Sequence, residues 1–253
     1  MSALQGTVAL VTGASSSIGA ATARKLARLG AKVALVARRR ERLEDVARAI
    51  ETAAGTAFTI EADVADRAQA ADAVEQAVQR LGRLDILVNN AGVMFIGPVT
   101  GADIEEWTRM VEVNVLGQLH VAHAALPHLI AAAEQGPRRV ADLINIGSVG
   151  GRQPTPMNAV YGLTKAGIAA FTESLRQELT KRHVRVGLLE PGSVSTELAS
   201  HNRPEILENV LGPYFREIET LTPDDVADAI AFMVTRPRRA SVFDLWFSPT
   251  EQV

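Results

Sequence analysis

The sequence predicts an α/β protein built on a doubly wound, mainly parallel sheet, and three observations carry that reading. Short apolar runs rich in β-branched residues recur along the chain, as buried parallel strands require. Between them lie longer charged or amphipathic stretches with helical period, most of them ended by a glycine. The turns that join the two kinds of segment are short, which suits right-handed βαβ units rather than hairpins.

Taken in order, residues 7–12 (TVALVT) read as the first strand, and Gly13 to Gly19 as a turn delivering a helix over 20–29, stopped by Gly30. Residues 33–37 form a second strand, 38–54 a charged helix ended by Gly55, and 57–61 a third strand. A helix over 66–81 capped by Gly82 leads to a fourth strand at 84–89. Residues 104 to about 133 read as a long helical region interrupted near Pro127, because an internal proline removes one helix hydrogen bond. Residues 139–146 are strand five, the segment around Tyr161 is a helix, and 184–189 is strand six. Residues 197–220, punctuated by Pro204 and Pro213, read as a lid of short helices. Thr222 as N-cap and Pro223 at the first position start a helix to 235, and 241–247 is a last strand. With no repeat or linker, the expectation is one domain over 1–253.

Composition narrows the function. The chain has 253 residues, 47% apolar and only 4% aromatic, so the core is expected to be aliphatic. A net charge of −3 argues against a dedicated nucleic-acid binder. The absence of cysteine excludes disulfides, thiolate metal ligands and thiol catalysis, and suits a reducing compartment. The first residues lack a basic n-region and an apolar h-region, and no apolar run approaches the roughly 20 residues of a membrane span. A cytoplasmic protein without membrane or nucleic-acid partners is the expectation.

Two stretches carry chemistry. After the first strand, Gly13 and Gly19 bracket a turn of small residues at a helix N-terminus, where free N–H groups and the helix dipole suit a pyrophosphate. Farther on, Tyr161 and Lys165 stand four apart and project from one helical face. An ammonium beside a phenol favours the phenolate, so Lys165 is expected to pull Tyr161 below its ordinary value of about 10. Ser148 lies upstream at the end of an apolar run. His120, His123 and His128 share a helical segment, but their spacing does not set all three on one face, and no acidic partner completes a metal site.

Together these motifs resemble the short-chain dehydrogenase/reductases. Thr12-Gly13, Ser17 and Gly19 stand where that family has its Thr-Gly-x-x-x-Gly-x-Gly cofactor loop, and Asn89-Asn90-Ala91-Gly92 resembles its motif after strand four. Asp63-Val64 resembles the adenine-contacting pair, and Pro191-Gly192 with Thr196 the segment that holds the nicotinamide carboxamide. Asn114, Ser148, Tyr161 and Lys165 match the catalytic four. Details such as Val36-Ala-Arg-Arg39 and Leu189-Glu-Pro-Gly-Ser193 are similar to the NADP-dependent bacterial branch that includes clavulanate dehydrogenase and serine 3-dehydrogenase.

The resemblance implies a Rossmann-type seven-stranded sheet in the order 3-2-1-4-5-6-7. It also implies a nicotinamide cofactor held by Gly13, Ser15, Ser17, Ile18, Gly19, Arg38, Arg39, Asp63, Val64, Asn90, Ala91, Gly92, Tyr161, Lys165, Pro191, Gly192 and Thr196. Tyr161 would be the general acid/base, Ser148 would orient the carbonyl, Lys165 would hold the nicotinamide ribose, and Asn114 would hold a water on the proton path. Relatives are usually tetramers, and Ala166, Gly167, Ala169 and Ala170 keep one helix surface small enough for close packing. Ser17 departs from the family glycine: it either bears backbone strain of about 1 kcal/mol, or uses its hydroxyl on a ribose or phosphate, or is simply tolerated. At the end of strand two, NAD-specific relatives carry a carboxylate; here Ala37 is followed by Arg38-Arg39-Arg40, so NADP(H) is expected, with Arg38 on the extra phosphate. Met94, Val149, Gly150, Met157 and Tyr214 neighbour these motifs or the lid, a placement that fits pocket lining and ordinary packing equally. His201 sits in the lid. The expected activity is NADPH-dependent reduction of a ketone or aldehyde; the alternative is a silent NADP(H)-sensing regulator on the same fold, a class that typically loses the tyrosine or the lysine.

Overall fold

A computed structural model describes residues 2–252. Seven parallel strands form one sheet in the order β3-β2-β1-β4-β5-β6-β7. They are β1 (Val8–Thr12), β2 (Lys32–Ala37), β3 (Thr56–Glu61), β4 (Ile86–Asn89), β5 (Ala141–Ile146), β6 (Val184–Pro191) and β7 (Asp244–Phe247). The central strands are buried along their whole length, as strands covered on both faces must be. Helices α1 (Ser17–Arg28), α2 (Arg40–Thr52) and α9 (Pro223–Val234) cover one face. Helices α3 (Arg67–Leu81), α4 (Ile104–Val111), α5 (Gln118–Gln135) and α6 (Ala159–Leu179) cover the other. Each face has its own aliphatic core. The strand order reverses between β1 and β4, and at such a switch point the loops leaving the strands diverge and open a crevice at their C-terminal ends.

Local chemistry explains the boundaries. Asp66 caps α3 by accepting from the N–H groups of Ala68 and Gln69, and Gly82 ends it at a φ of 89°. Thr222 and Asp225 form a reciprocal capping box at the start of α9, with Pro223 at the first position. The last strand is shorter than expected, starting at Asp244 rather than 241. Strand β5 starts at Ala141 because Arg139 adopts a left-handed φ of 54°.

The helical region 104–135 differs from expectation in two ways. Pro127 does not interrupt it: α5 runs straight through, and Pro127 and His123, whose carbonyl loses its usual donor, are both exposed to water. The irregularity lies earlier, in a π-helical segment at Glu112–Gly117 that contains Asn114. By length and composition this 32-residue span is apolar enough to cross a membrane, contrary to the sequence reading, yet its inner face packs into the core beneath β4 and β5.

Candidate active site

The loops leaving β1, β2, β3, β4, β5 and β6 surround a cavity of about 640 Å³. It extends from the Gly13 turn past Arg38 and Asp63, under Asn90–Gly92, to Ser148 and Tyr161, and is closed by residues after Pro191. Of the sequence-derived site residues, all but Gly19 and Asn114 line it. Those two stand behind the wall.

At the nucleotide end, Gly13 has φ 65°, and a Cβ there would come within 2.8 Å of the Asn90 amide. Gly19 packs directly on the Gly13 carbonyl, leaving no room for a side chain. Thr12 ties this loop to the next: its hydroxyl accepts from the N–H groups of Asn90 (2.9 Å) and Ala91 (3.0 Å), and Asn90 Nδ2 donates to its carbonyl at 2.9 Å. Ser17 does sit in the left-handed region, at φ 49°, where glycine would be unstrained. Its hydroxyl accepts from the Glu197 N–H at 3.1 Å, so the serine links the loop to the first residue of the lid.

The end of β2 is basic, and its arginines differ in setting. Arg38 is more than half exposed and lies 3.9 Å from Asp63. Arg39 is wired in: it donates to Ser15 (3.1 and 3.2 Å), Ser16 (2.7 Å) and Glu197 (2.8 Å). Arg40 turns away and pairs with Glu44 along α2. Asp63 also accepts from Arg109 at 2.9 Å. Burial works against ionisation of Asp63, but the Ala65 N–H and then Arg109 and Arg38 outweigh it and hold the carboxyl below its ordinary range. The cavity wall here carries Arg38, Arg39 and Arg109 against two carboxylates, both already paired.

At the chemical end, Tyr161 and Lys165 project from α6 into a dry corner, 6% and 4% exposed. The Lys165 ammonium lies 5.7 Å from the centre of the Tyr161 ring and donates to the Ile146 carbonyl at 2.9 Å. Burial brings its pKa down to about 8. Burial also pushes the Tyr161 phenol above its ordinary value, with the Ser148 hydroxyl acting in the opposite direction. This differs from the expectation of a phenol lowered by its lysine: burial sets the direction, and the group acting against it is Ser148. Ser148 caps a short turn, accepting from the Gly150 N–H at 3.2 Å.

Asn114 is fully buried and does not line the cavity. Its amide closes on the backbone of Val93, accepting from N–H and donating to C=O at 2.8 Å each, with a further bond to Thr164 at 3.2 Å. It thereby fixes the chain that follows Asn90–Gly92 against α6.

Around the phenol, Met94, Val149, Gly150, Met157 and Tyr214 all line the cavity. His201 lines it too, near Phe95, and burial followed by Arg38 and Arg39 lowers its pKa. The lid consists of a 3-10 turn at Glu197–His201, α7 (Pro204–Ile206), a π segment at Leu207–Leu211 and α8 (Gly212–Glu217). Sequence reasoning missed Arg109, Gln153, Asn158, Glu197 and Gln252 as lining residues. Asn158, three residues before Tyr161, had a positional signal. Glu197, directly after Thr196, had one as well, whereas Arg109, Gln153 and Gln252 reach the site through tertiary contacts.

The residues present fit a dinucleotide. The turn closes tightly at Gly13 and Gly19, the residues between them are small, and the nearby carboxylates are already paired with arginines. The fold and site are those of an oxidoreductase of one family. Residues 7–206 match the model of the short chain dehydrogenases, and the chain belongs to that family. It is 36% identical over 242 residues, 96% of each chain, to an uncharacterized oxidoreductase of Staphylococcus epidermidis. A 3-ketoacyl-(acyl-carrier-protein) reductase from Brucella melitensis, solved with NADH, superposes with a TM-score of 0.86 at 32% identity, covering 99% of this chain and 100% of that one. The closed form of a serine dehydrogenase with NADP+ gives 0.85 at 30% identity, covering 98% and 96%.

Proposed function

We propose that this protein is an NADP(H)-dependent carbonyl reductase, reversible as an alcohol dehydrogenase. The observation that carries this reading is the placement of the Tyr161 phenol, with Ser148 beside it, at the end of a cavity whose other end is a dinucleotide-type loop with an arginine-rich wall. When bound, the nicotinamide supplies or takes up a hydride. The protein's own residues manage the charge that hydride transfer creates on the carbonyl oxygen. Ser148 donates a hydrogen bond to that oxygen and sets its position, and Tyr161 delivers a proton to it. The phenol is un-ionised at neutral pH, as an ordinary tyrosine is, and so holds the proton to be delivered. The Lys165 ammonium then offsets the developing phenolate from one turn along α6. Asn114 acts as a positioning residue, through Val93 and Thr164.

NADP(H) is favoured because β2 ends in Ala37 instead of a carboxylate, and a 2′-phosphate would meet the arginines at 38 and 39. The wall near Tyr161 is largely apolar (Met94, Val149, Met157, Leu198, Leu211), which suits a modest-sized ketone or aldehyde. Leu163, 61% exposed, lies one turn from the exposed Ala166 and Gly167 on α6, and this surface would join subunits of a homo-oligomer. The protein would act in the cytoplasm, without membrane or nucleic-acid partners.

The test is loss of nicotinamide absorbance against a panel of ketones and aldehydes, with NADPH and NADH in parallel and Tyr161→Phe as control. Turnover with NADPH that disappears in Tyr161→Phe, while NADPH binding survives, supports the reading. Turnover that persists in the variant would refute the role of Tyr161, and a preference for NADH would refute the cofactor assignment.

A further inference from the structure

The two walls of the nucleotide end are joined by an ion pair that spans most of the chain. Glu197, the first lid residue, accepts from Arg39 at 2.8 Å and from Arg42 at 3.1 Å. The same Arg39 guanidinium holds the Ser15 and Ser16 hydroxyls of the phosphate loop. Nothing in the sequence motifs requires a carboxylate here. It lies where an arginine at the end of β2 would otherwise be free to bind an anion.

Resting on the cofactor reading above, we infer that Glu197 is a specificity-determining residue that competes with the 2′-phosphate of the cofactor for Arg39. Without a phosphorylated ribose the carboxylate occupies the guanidinium, and with one it yields Arg39 and remains on Arg42. Three features make the exchange feasible. The Arg39–Glu197 pair is partly solvated, with the two side chains 46% and 42% exposed, so it is a weak pair that a phosphate dianion can replace. Arg42 gives the displaced carboxylate a second cation, so no charge is left unpaired. The lid does not have to unhinge, because the Glu197 backbone N–H is held separately by Ser17. Arg39 and then Arg42 hold the Glu197 carboxyl below its ordinary range, so it is a full anion at neutral pH.

The arrangement would tune selectivity by charge competition. Glu197 subtracts from binding of a 2′-phosphorylated ligand and leaves a ligand without that phosphate unaffected. Adenosine 2′,5′-bisphosphate and AMP separate these effects from hydride transfer, since they differ only in the phosphate concerned. Calorimetric Kd values for both should be measured on the full chain, Glu197→Gln and Arg42→Gln.

In Glu197→Gln the bisphosphate should bind about two- to fivefold more tightly, the size of one partly solvated ion pair, with AMP unchanged. In Arg42→Gln the bisphosphate should bind more weakly, because Glu197 then has only Arg39 as partner. An unchanged or weakened bisphosphate Kd in Glu197→Gln would overturn the inference, as would equal tightening of both ligands. A wild-type protein that does not prefer the bisphosphate over AMP would instead refute the NADP(H) assignment itself, and the inference with it.

Discussion

Replacing Lys165 with methionine should make the protein more stable while abolishing turnover. Burial lowers the lysine from its ordinary 10.5 to about 8, so at pH 7 the folded state still carries the ammonium and bears its desolvation cost. A shift of that size corresponds to about 3 kcal/mol relative to a neutral side chain of similar shape. Methionine keeps the stem and its packing, but leaves the Ile146 carbonyl without its donor, which costs about 1–2 kcal/mol. The net gain at pH 7 is therefore about 1–2 kcal/mol.

The sign of the pH dependence follows from the depressed pKa. Between about 8 and 10.5 the unfolded chain binds more protons than the folded one, so wild-type stability rises with pH through that window. The lysine penalty at pH 9.5 falls to about half its value at pH 7, and the advantage of Lys165→Met should shrink to near zero. Urea denaturation of both proteins at pH 7 and 9.5 measures this. A variant less stable than wild type at pH 7, or a gap that does not narrow at pH 9.5, would refute the claim that Lys165 is held in place against its own desolvation cost.

Two further substitutions test the loop. Ser17→Ala keeps the left-handed backbone but loses the bond to Glu197, whereas Ser17→Gly loses the bond and relieves the strain. The alanine variant should be less stable than the glycine variant by about 1 kcal/mol in urea denaturation, and equal stabilities would show that φ 49° costs nothing here. In Gly19→Ala the new methyl group meets the Gly13 carbonyl and must push the turn outward, so NADPH should bind at least about tenfold more weakly by fluorescence titration. An unchanged Kd would mean that the loop yields freely and is not the pyrophosphate cradle.

Much of the architecture was legible because its signals are local. A strand buried on both faces leaves an apolar run, a helix leaves a period and a cap, and a four-residue spacing puts Tyr161 and Lys165 on one face whatever surrounds them. The seven-stranded order came from family resemblance, since no local pattern states which strands are neighbours. All but Gly19 and Asn114 of the residues expected to line one cleft do so, because strand ends in a parallel sheet all deliver their loops to the same edge.

Elsewhere the decisive quantities were not local. Pro127 looked like a break and is not one, because it and His123, whose carbonyl it deprives, lie on the exposed side of the helix; the true irregularity is the π segment at Asn114. The direction of the Tyr161 shift depends on how much water reaches the phenol, and only packing settles that. Arg39 could be singled out at the end of β2, but its partner Glu197 lies 158 residues away. The sequence by itself determined which chemical groups the protein possesses and in what local order. The tertiary structure decided which of them are dry, which are paired and with whom, because burial and charge pairing are set by neighbours in space.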